Sequence, residues 1–224
     1  MNFFGHALVA QRSEATRGSI RAEFVLGAML PDFATMLGLR PPAAGTDPLQ
    51  AGIRFHHQTD DAFHGSQSFL EFSGQAWRFL SDRGLSRGSA RAVAHVGVEL
   101  LLDGAFASDN AASVAYLSAI ECGLTERAAS CIHWPTMNGA ARFETLCQRL
   151  QQRGAFPSDT PEALIAARLR SILADRPRLV MDDRGQSVVR DWIVMARPTI
   201  VSGAPQLLRE VQQRLLGEVQ QRLT

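Results

Sequence analysis

The chain has 224 residues, of which 46% are hydrophobic, and a formal net charge of +1. This length and apolar content allow one large domain or two small ones and exclude a largely disordered chain. The near-neutral charge does not indicate the strong positive field of a nucleic-acid-binding protein. All 23 basic residues are arginine, which excludes lysine-based catalysis such as Schiff-base chemistry.

The cysteines and the apolar segments indicate the cellular compartment in which the protein is expected. Cys122, Cys131 and Cys147 lack the paired spacing of a metal site, and isolated thiols favour a reducing compartment. The first residues carry little positive charge and interrupt their apolar run with His6, unlike a signal peptide. No apolar run reaches the roughly 18 residues of a membrane span. We therefore expect a cytoplasmic protein without a membrane span.

Helical periodicity recurs along the chain after an apolar stretch at residues 2–10. Helices are predicted at residues 19–30, 49–63, 69–80, 86–106, 110–122, 125–134, 140–153 and 161–174. Pro31 and Asp32 are expected to end the first of these, and the Pro- and Gly-rich residues 40–48 predict a loop. No strand–turn–strand alternation is present, so the sequence predicts an all-α fold.

The C-terminal part is less regular in its signals. Residues 188–196 fit a strand or a helix equally well. The sequence EVQQRL occurs at residues 210–215 and again at 218–223. An offset of eight residues keeps one face of a helix in common, so we expect a single amphipathic helix. This helix can pack within the molecule or form a homodimer contact.

Metal-capable side chains recur at every fourth residue in two of the predicted helices. The two series are His56, Asp60 and His64, and His95, Glu99 and Asp103. Because four residues turn a helix by about 400°, each series forms a stripe on one face. Two such stripes facing each other would place imidazoles and carboxylates in one pocket, which suits a divalent metal.

The first stripe lies in a segment where three of the six histidines fall within nine residues. Imidazole and carboxylate ligands suit Mn²⁺, Fe²⁺, Zn²⁺ or Ni²⁺, and open positions allow a metal to activate water. A solvated polar face is the alternative, but the density of these side chains argues against it.

The second stripe lies on an apolar helix. Glu99 and Asp103 are surrounded in sequence by Leu and Val, so we expect both carboxylates to be at least partly buried. Burial is costly for a carboxylate unless it is paired or bound to a metal. An ion pair with Arg91 or Arg54 is the competing explanation. His95 fits a ligand, a supporting residue or a solvent-facing residue.

Two single residues have ordinary explanations when taken alone. His6 stands in an apolar run, where a histidine is more often a hydrogen-bonded core residue than a ligand. Asp32 follows Pro31, where a turn or helix cap is the default. The chain has no GxSxG, P-loop, GxGxxG or HExxH motif, so several common enzyme classes are not indicated.

Four blocks of the sequence resemble the acyl carrier protein phosphodiesterase family. They are MNFFGH at residues 1–6, LPDF at 30–33, GIRFH at 52–56 followed by Asp60, and Glu99 with Asp103 in place of the family's D-x-x-x-D. Their order and approximate spacing agree with the family pattern. The resemblance covers residues 1–106, and beyond this point only helicity is shared.

The resemblance implies a single multi-helix bundle domain whose metal site is distantly similar to that of HD-domain phosphohydrolases. Residues 1–106 would form the metal-binding core, and residues 107–224 a divergent helical continuation of the same domain. The implied reaction is hydrolysis of the phosphodiester that joins 4′-phosphopantetheine to a serine of acyl carrier protein. The implied cofactor is a divalent ion, commonly Mn²⁺.

Carried over residue by residue, the resemblance also gives roles to individual side chains. The candidate metal ligands or their close supports are His6, Asp32, His56, Asp60 and Asp103. Glu99 or His64 would carry protons, and Arg54 would hold a phosphate oxygen. Two positions depart from the family, since Gly104 replaces a histidine and His64 stands where the family tends to have aspartate.

The sequence also offers a candidate surface for a partner protein and leaves two alternative functions open. An acidic carrier protein requires a basic surface, for which the candidates are Arg78, Arg83, Arg87 and Arg91. One alternative keeps the metal site but changes the substrate, giving a zinc-dependent phospholipase or a nucleotide phosphohydrolase. The other is a binding module without activity, in which the acidic residues pair with arginine.

Overall fold

The computed structural model describes residues 1–16, 18–154, 160–174 and 176–221. Within these residues the chain forms ten α-helices, one 3₁₀ turn and two short strands, so the predicted all-α class is confirmed. The elements in chain order are α1 (Phe3–Ala15), α2 (Ala22–Met36), β1 (Ala43–Ala44), α3 (Asp47–His64), α4 (Gln67–Asp82), α5 (Arg87–Phe106), α6 (Asn110–Gly123), α7 (Glu126–Cys131), β2 (Ile132–His133), α8 (Gly139–Arg153), α9 (Glu162–Ala174), the 3₁₀ turn Pro177–Leu179, and α10 (Asp183–Gln221).

The contacts divide the chain into two compact units. The first unit comprises residues 1–61 and 106–156, and the second comprises residues 62–105 and 157–224. The predicted arrangement, with residues 1–106 as a metal-binding core and residues 107–224 as a continuation of the same domain, stays a prediction. None of the described helices has an apolar stretch long enough to cross a membrane.

In the first unit α1, α2 and α6 pack against one another, and α8 packs against α6. Aromatic rings fill much of this core. The rings of Phe3 and Phe4 both lie against Tyr116, and Phe33 contacts Phe3 and Phe143. β1 and β2 form one antiparallel pair beside the helices.

Helices α2 and α3 approach each other closely at Gly27 and Gly52. A Cβ atom on Gly52 would lie 2.2 Å from the carbonyl oxygen of Phe24, and one on Gly27 would lie 2.3 Å from that of Leu49. Only glycine allows the two backbones to come this close. The approach brings His56, one helical turn beyond Gly52, against the backbone of α2.

In the second unit α10 packs against α4 and α9. The buried Trp192 of α10 lies where a Cβ atom on Gly97 of α5 would stand, at 2.5 Å from the indole ring. Glu210 accepts hydrogen bonds from the backbone N–H and the hydroxyl of Ser68, in the first turn of α4. These contacts hold α10 against α4 and α5.

The prediction that Pro31 and Asp32 end a helix is wrong, because α2 continues to Met36. An internal proline costs about 3 kcal/mol. Leu30 and Phe33 are fully buried on either side of it, and burial of such a side chain contributes about 1.5–3 kcal/mol. Packing therefore outweighs the local penalty. Asp32 lies inside the helix and not in a turn.

The sequence did not predict the two short strands. The helix predicted at residues 125–134 ends at Cys131, because Ile132 and His133 pair with Ala43 and Ala44 in the predicted loop. Such a two-residue pairing between distant segments leaves no periodic signal in the sequence.

The ambiguous residues 188–196 are helical and belong to α10, as do residues 210–221 of the repeat. Arg222 and Leu223 lie outside the described residues. Several apolar side chains of α10 are exposed, including Val194, Met195 and Leu216. The homodimer contact expected for this helix stays a prediction.

Candidate metal centre

His6 is fully buried, with no exposed surface. Its Nδ1 atom lies 2.8 Å from the hydroxyl oxygen of Thr59. That hydroxyl has a single proton, which it donates to the carbonyl oxygens of Phe55 and His56 at 3.0 and 2.8 Å. These two bonds favour the tautomer in which Nδ1 of His6 is the donor and its Nε2 atom carries a lone pair.

His56 is held in the same way. It is 5% exposed, and its Nδ1 atom donates to the carbonyl oxygen of Ala28 at 2.9 Å. Its imidazole stacks on that of His6, with ring centroids 3.9 Å apart. Histidines that bind metals usually donate their second N–H to a carbonyl or another acceptor, which fixes the tautomer. Both Nε2 atoms are thus left with lone pairs.

The lone pair of His6 faces carboxylates. Its Nε2 atom lies 3.3 Å from Oδ1 of Asp60 and 3.8 Å from Oδ2 of Asp32. Nε2 is buried and makes no hydrogen bond within the described residues. A lone pair facing carboxylate oxygens is repulsive, and a cation beside them offsets this repulsion, as the ammonium group of Met1 does in part at Oδ1 of Asp60. The donor set therefore fits a divalent metal.

The electrostatics keep these groups in the forms that bind metal. Burial lowers the pKa of His6 to about 3, although Asp60 opposes the shift. Burial also lowers the pKa of His56, against the effect of its hydrogen bond to Ala28. Both imidazoles are therefore neutral at neutral pH, so a metal does not compete with protons for them.

Asp60 is ionised. Burial alone would raise its pKa, but the ammonium group of Met1 beside it holds the pKa well below its usual range. The nitrogen of Met1 lies 2.8 Å from Oδ1 of Asp60. One ligand atom from each of His6, His56 and Asp60 lies within 4.8 Å of the other two, so one ion can contact all three.

The two sequence stripes do not form the groups that the helical spacing indicated. Asp60 and His56 join His6, in the first unit. His64 instead meets two residues of the second stripe, since its Nε2 atom lies 3.2 Å from Oε1 of Glu99, which is 3.3 Å from Nε2 of His95. This second group lies wholly in the second unit. A pocket shared by both stripes stays a prediction.

The expected burial of the second-stripe carboxylates is confirmed, since Asp103 is 1% exposed and the side chain of Glu99 is 14% exposed. Burial alone would raise the pKa of Glu99, but its hydrogen bonds with His64 and His95 hold it well below its usual range. Asp103 is in neither group of three. Arg54 is exposed and lies about 200° around α3 from His56. The roles predicted for these residues stay predictions.

Three supporting atoms were not identified from the sequence: the hydroxyl of Thr59, the carbonyl oxygen of Ala28 and the nitrogen of Met1. Thr59 did offer a signal, since it lies three residues after His56 and a helical threonine commonly bonds back to its own helix. The carbonyl of Ala28 offered none, because it depends on the close approach of α2 and α3.

Comparison with protein-family models, with curated proteins and with solved structures gave no match to this chain.

Proposed function

We propose that this protein is a metal-dependent phosphodiester hydrolase whose divalent ion is held by His6, His56 and Asp60. One observation carries the proposal, namely two buried imidazoles that each donate Nδ1–H to the protein and present Nε2 beside an ionised carboxylate. Asp32 lies close enough to Nε2 of His6 to support the same ion. A purely structural pair of histidines has no need of this arrangement.

The chemistry of such a site suits phosphoryl transfer. A divalent ion supplies Lewis-acid chemistry there, lowering the pKa of water and offsetting charge on a phosphoryl oxygen. The chain's own residues hold this site in place. Thr59 and the carbonyl of Ala28 fix the tautomers, and the fully buried His6 keeps bulk water out of one side.

The substrate we propose is holo-acyl carrier protein, on the basis of the resemblance of residues 1–106. Water would add to phosphorus and the bond to the serine oxygen would break, giving 4′-phosphopantetheine and a carrier protein with a free serine hydroxyl. The ion we favour is Mn²⁺, and the mixed nitrogen and oxygen donors also accept Zn²⁺, Fe²⁺ or Ni²⁺. Arg78, Arg83, Arg87 and Arg91 are all exposed and available to an acidic partner.

The first test is the metal content of the purified protein, measured by plasma mass spectrometry. The double variant His56→Ala/Asp60→Ala should lose one equivalent of metal. The matched control is His57→Ala/Asp61→Ala, which removes the same two side-chain types from exposed positions next to the ligands and should keep the wild-type content. Circular dichroism should show both variants to be equally helical. Equal metal in the two variants would refute the centre.

The second test concerns the substrate. Wild-type protein loaded with Mn²⁺ should convert holo-acyl carrier protein to its apo form, which intact-protein mass spectrometry detects. Hydrolysis of bis-p-nitrophenyl phosphate without this conversion would favour a phospholipase or nucleotide phosphohydrolase. Absence of metal even after incubation with Mn²⁺ and Zn²⁺ would favour the binding module.

A further inference from the structure

We infer that His64, His95 and Glu99 form a second cation site, suited to a borderline transition-metal ion such as Zn²⁺. The three residues come from α3 and α5, and all lie in the second unit. The assignment does not depend on the proposed hydrolase activity, and it uses none of the residues of the first centre.

The donor atoms have the spacing that a small ion requires. Oε1 of Glu99 lies 3.2 Å from Nε2 of His64 and 3.3 Å from Nε2 of His95. Zinc bonds of about 2.0–2.1 Å at tetrahedral angles place neighbouring ligand atoms about 3.3 Å apart. The protein therefore already holds two edges of the tetrahedron at their working length, and all three donor atoms lie within 4.8 Å of one another.

Local structure explains how the three side chains meet. His95 and Glu99 are four residues apart on α5 and share one face of it. His64 is the last residue of α3, and its ring stacks on that of His95 at 4.8 Å between centroids and 19° between planes. The buried Phe69 of α4 lies edge-on to both imidazoles, at 5.1 and 5.4 Å. The two rings are thereby oriented before any ion binds.

The site is open on one side. The side chains of His64 and His95 are 32% and 48% exposed, whereas that of Glu99 is 14% exposed. An ion can thus enter from solvent and still contact a carboxylate largely shielded from water. Two imidazoles and one carboxylate leave at least one coordination position free, which is the donor set of catalytic and not of closed structural zinc sites.

In the metal-free protein Glu99 accepts N–H groups from the two histidines, and the competing explanation is that this hydrogen-bonded cluster is itself the working state. That arrangement suits the proton-carrier role predicted for Glu99 and His64. The two explanations differ in what Glu99→Gln does, since glutamine keeps a hydrogen-bonding oxygen but loses the charge that a metal ligand needs. A cation site predicts loss of an ion, whereas a proton carrier predicts loss of turnover with the ion retained.

The test is titration of the metal-free protein with Co²⁺, followed by visible absorption and isothermal calorimetry. Wild-type protein should bind two equivalents, one with the intense absorption of a tetrahedral nitrogen and oxygen site. His64→Ala/His95→Ala and Glu99→Gln should each lose that band and one equivalent, and circular dichroism should show unchanged helicity. His133→Ala, which removes an exposed imidazole elsewhere, should keep both equivalents.

The outcomes separate this site from the proposed function. One equivalent that disappears in Glu99→Gln but persists in His56→Ala would support the second site and refute the first centre. One equivalent that persists in Glu99→Gln but disappears in His56→Ala would overturn the second site and leave the hydrolase proposal standing. Retention of two equivalents in Glu99→Gln and in the double histidine variant would also overturn it.

Discussion

Nδ1 of His6 on α1 and the hydroxyl oxygen of Thr59 on α3 are 2.8 Å apart and fully buried. Because the hydroxyl gives its proton to its own helix, this contact decides which nitrogen of the imidazole carries the hydrogen. Thr59 thus determines whether His6 can present a lone pair on Nε2 to the proposed ion.

Replacing the hydroxyl should weaken metal binding without removing the site. In Thr59→Val the shape is kept, but the Nδ1–H group of His6 loses its acceptor and the tautomer is no longer fixed. Loss of such a supporting hydrogen bond typically reduces metal affinity about 10–100-fold. Competition with a chromophoric chelator would measure the change in Mn²⁺ affinity.

The control is Thr35→Val, in α2, whose hydroxyl donates to the carbonyl of Pro31. It makes the same chemical change in a helix without touching the centre and should leave the affinity unchanged. An unaltered dissociation constant in Thr59→Val would show that the tautomer of His6 is set by something else.

Metal binding should also depend on the close approach of α2 and α3 at Gly52. Gly52→Ala places a methyl group at 2.2 Å from the carbonyl oxygen of Phe24, so the helices must separate. Overpacking of this kind costs about 1–3 kcal/mol, and the separation also pulls His56 from Ala28. We expect a lower free energy of unfolding in urea together with weaker metal binding.

Gly74→Ala in α4 serves as the comparison, because the nearest atom to its Cβ is a guanidinium nitrogen of Arg78 at 3.9 Å. This helical substitution should stabilise the protein by about 0.5–1 kcal/mol. If Gly52→Ala and Gly74→Ala changed the free energy of unfolding equally, the close approach of the helices at Gly52 would not require glycine.

The sequence predicted the helices well because their apolar periodicity records burial directly. It singled out His56 and Asp60 through their helical spacing, but His6 and Asp32 only through the family resemblance, since His6 alone looked like a core residue and Asp32 like a turn residue. The helical spacing grouped His64 with His56 and Asp60. The structure places it with His95 and Glu99, because spacing on one helix does not show which neighbouring helix each turn meets.

The free energy of unfolding should depend on pH through Asp109, at the start of α6. Asp109 caps this helix by accepting from the N–H of Ala112 at 3.0 Å, and it pairs with Arg12 of α1 at 3.1 Å. Burial alone would raise the pKa of Asp109, but these contacts lower it below its ordinary value. The unfolded chain therefore takes up this proton first as the pH falls, and stability decreases with it.

Asp109→Asn keeps a capping oxygen but removes the charge. Compared with wild type it should be less stable by about 0.5–1 kcal/mol at pH 6. The difference should shrink as the pH falls below about 3.9, the unfolded-state value, and through the lower folded pKa. Urea denaturation at several pH values measures this. Asp61→Asn, at an exposed position, should show no such convergence, and a constant difference for Asp109→Asn would exclude the charge as the cause.

Metal binding at the first centre should stabilise the fold, because the ion resolves the repulsion between Nε2 of His6 and its neighbouring carboxylates. An ion that binds only the folded state at 100 times its dissociation constant adds about 2.7 kcal/mol. Urea denaturation with and without Mn²⁺ should show this gain, and a chelator should reverse it. The gain should persist in His95→Ala and disappear in His56→Ala. Equal stabilisation of the His56→Ala protein would mean that the ion acts at another place.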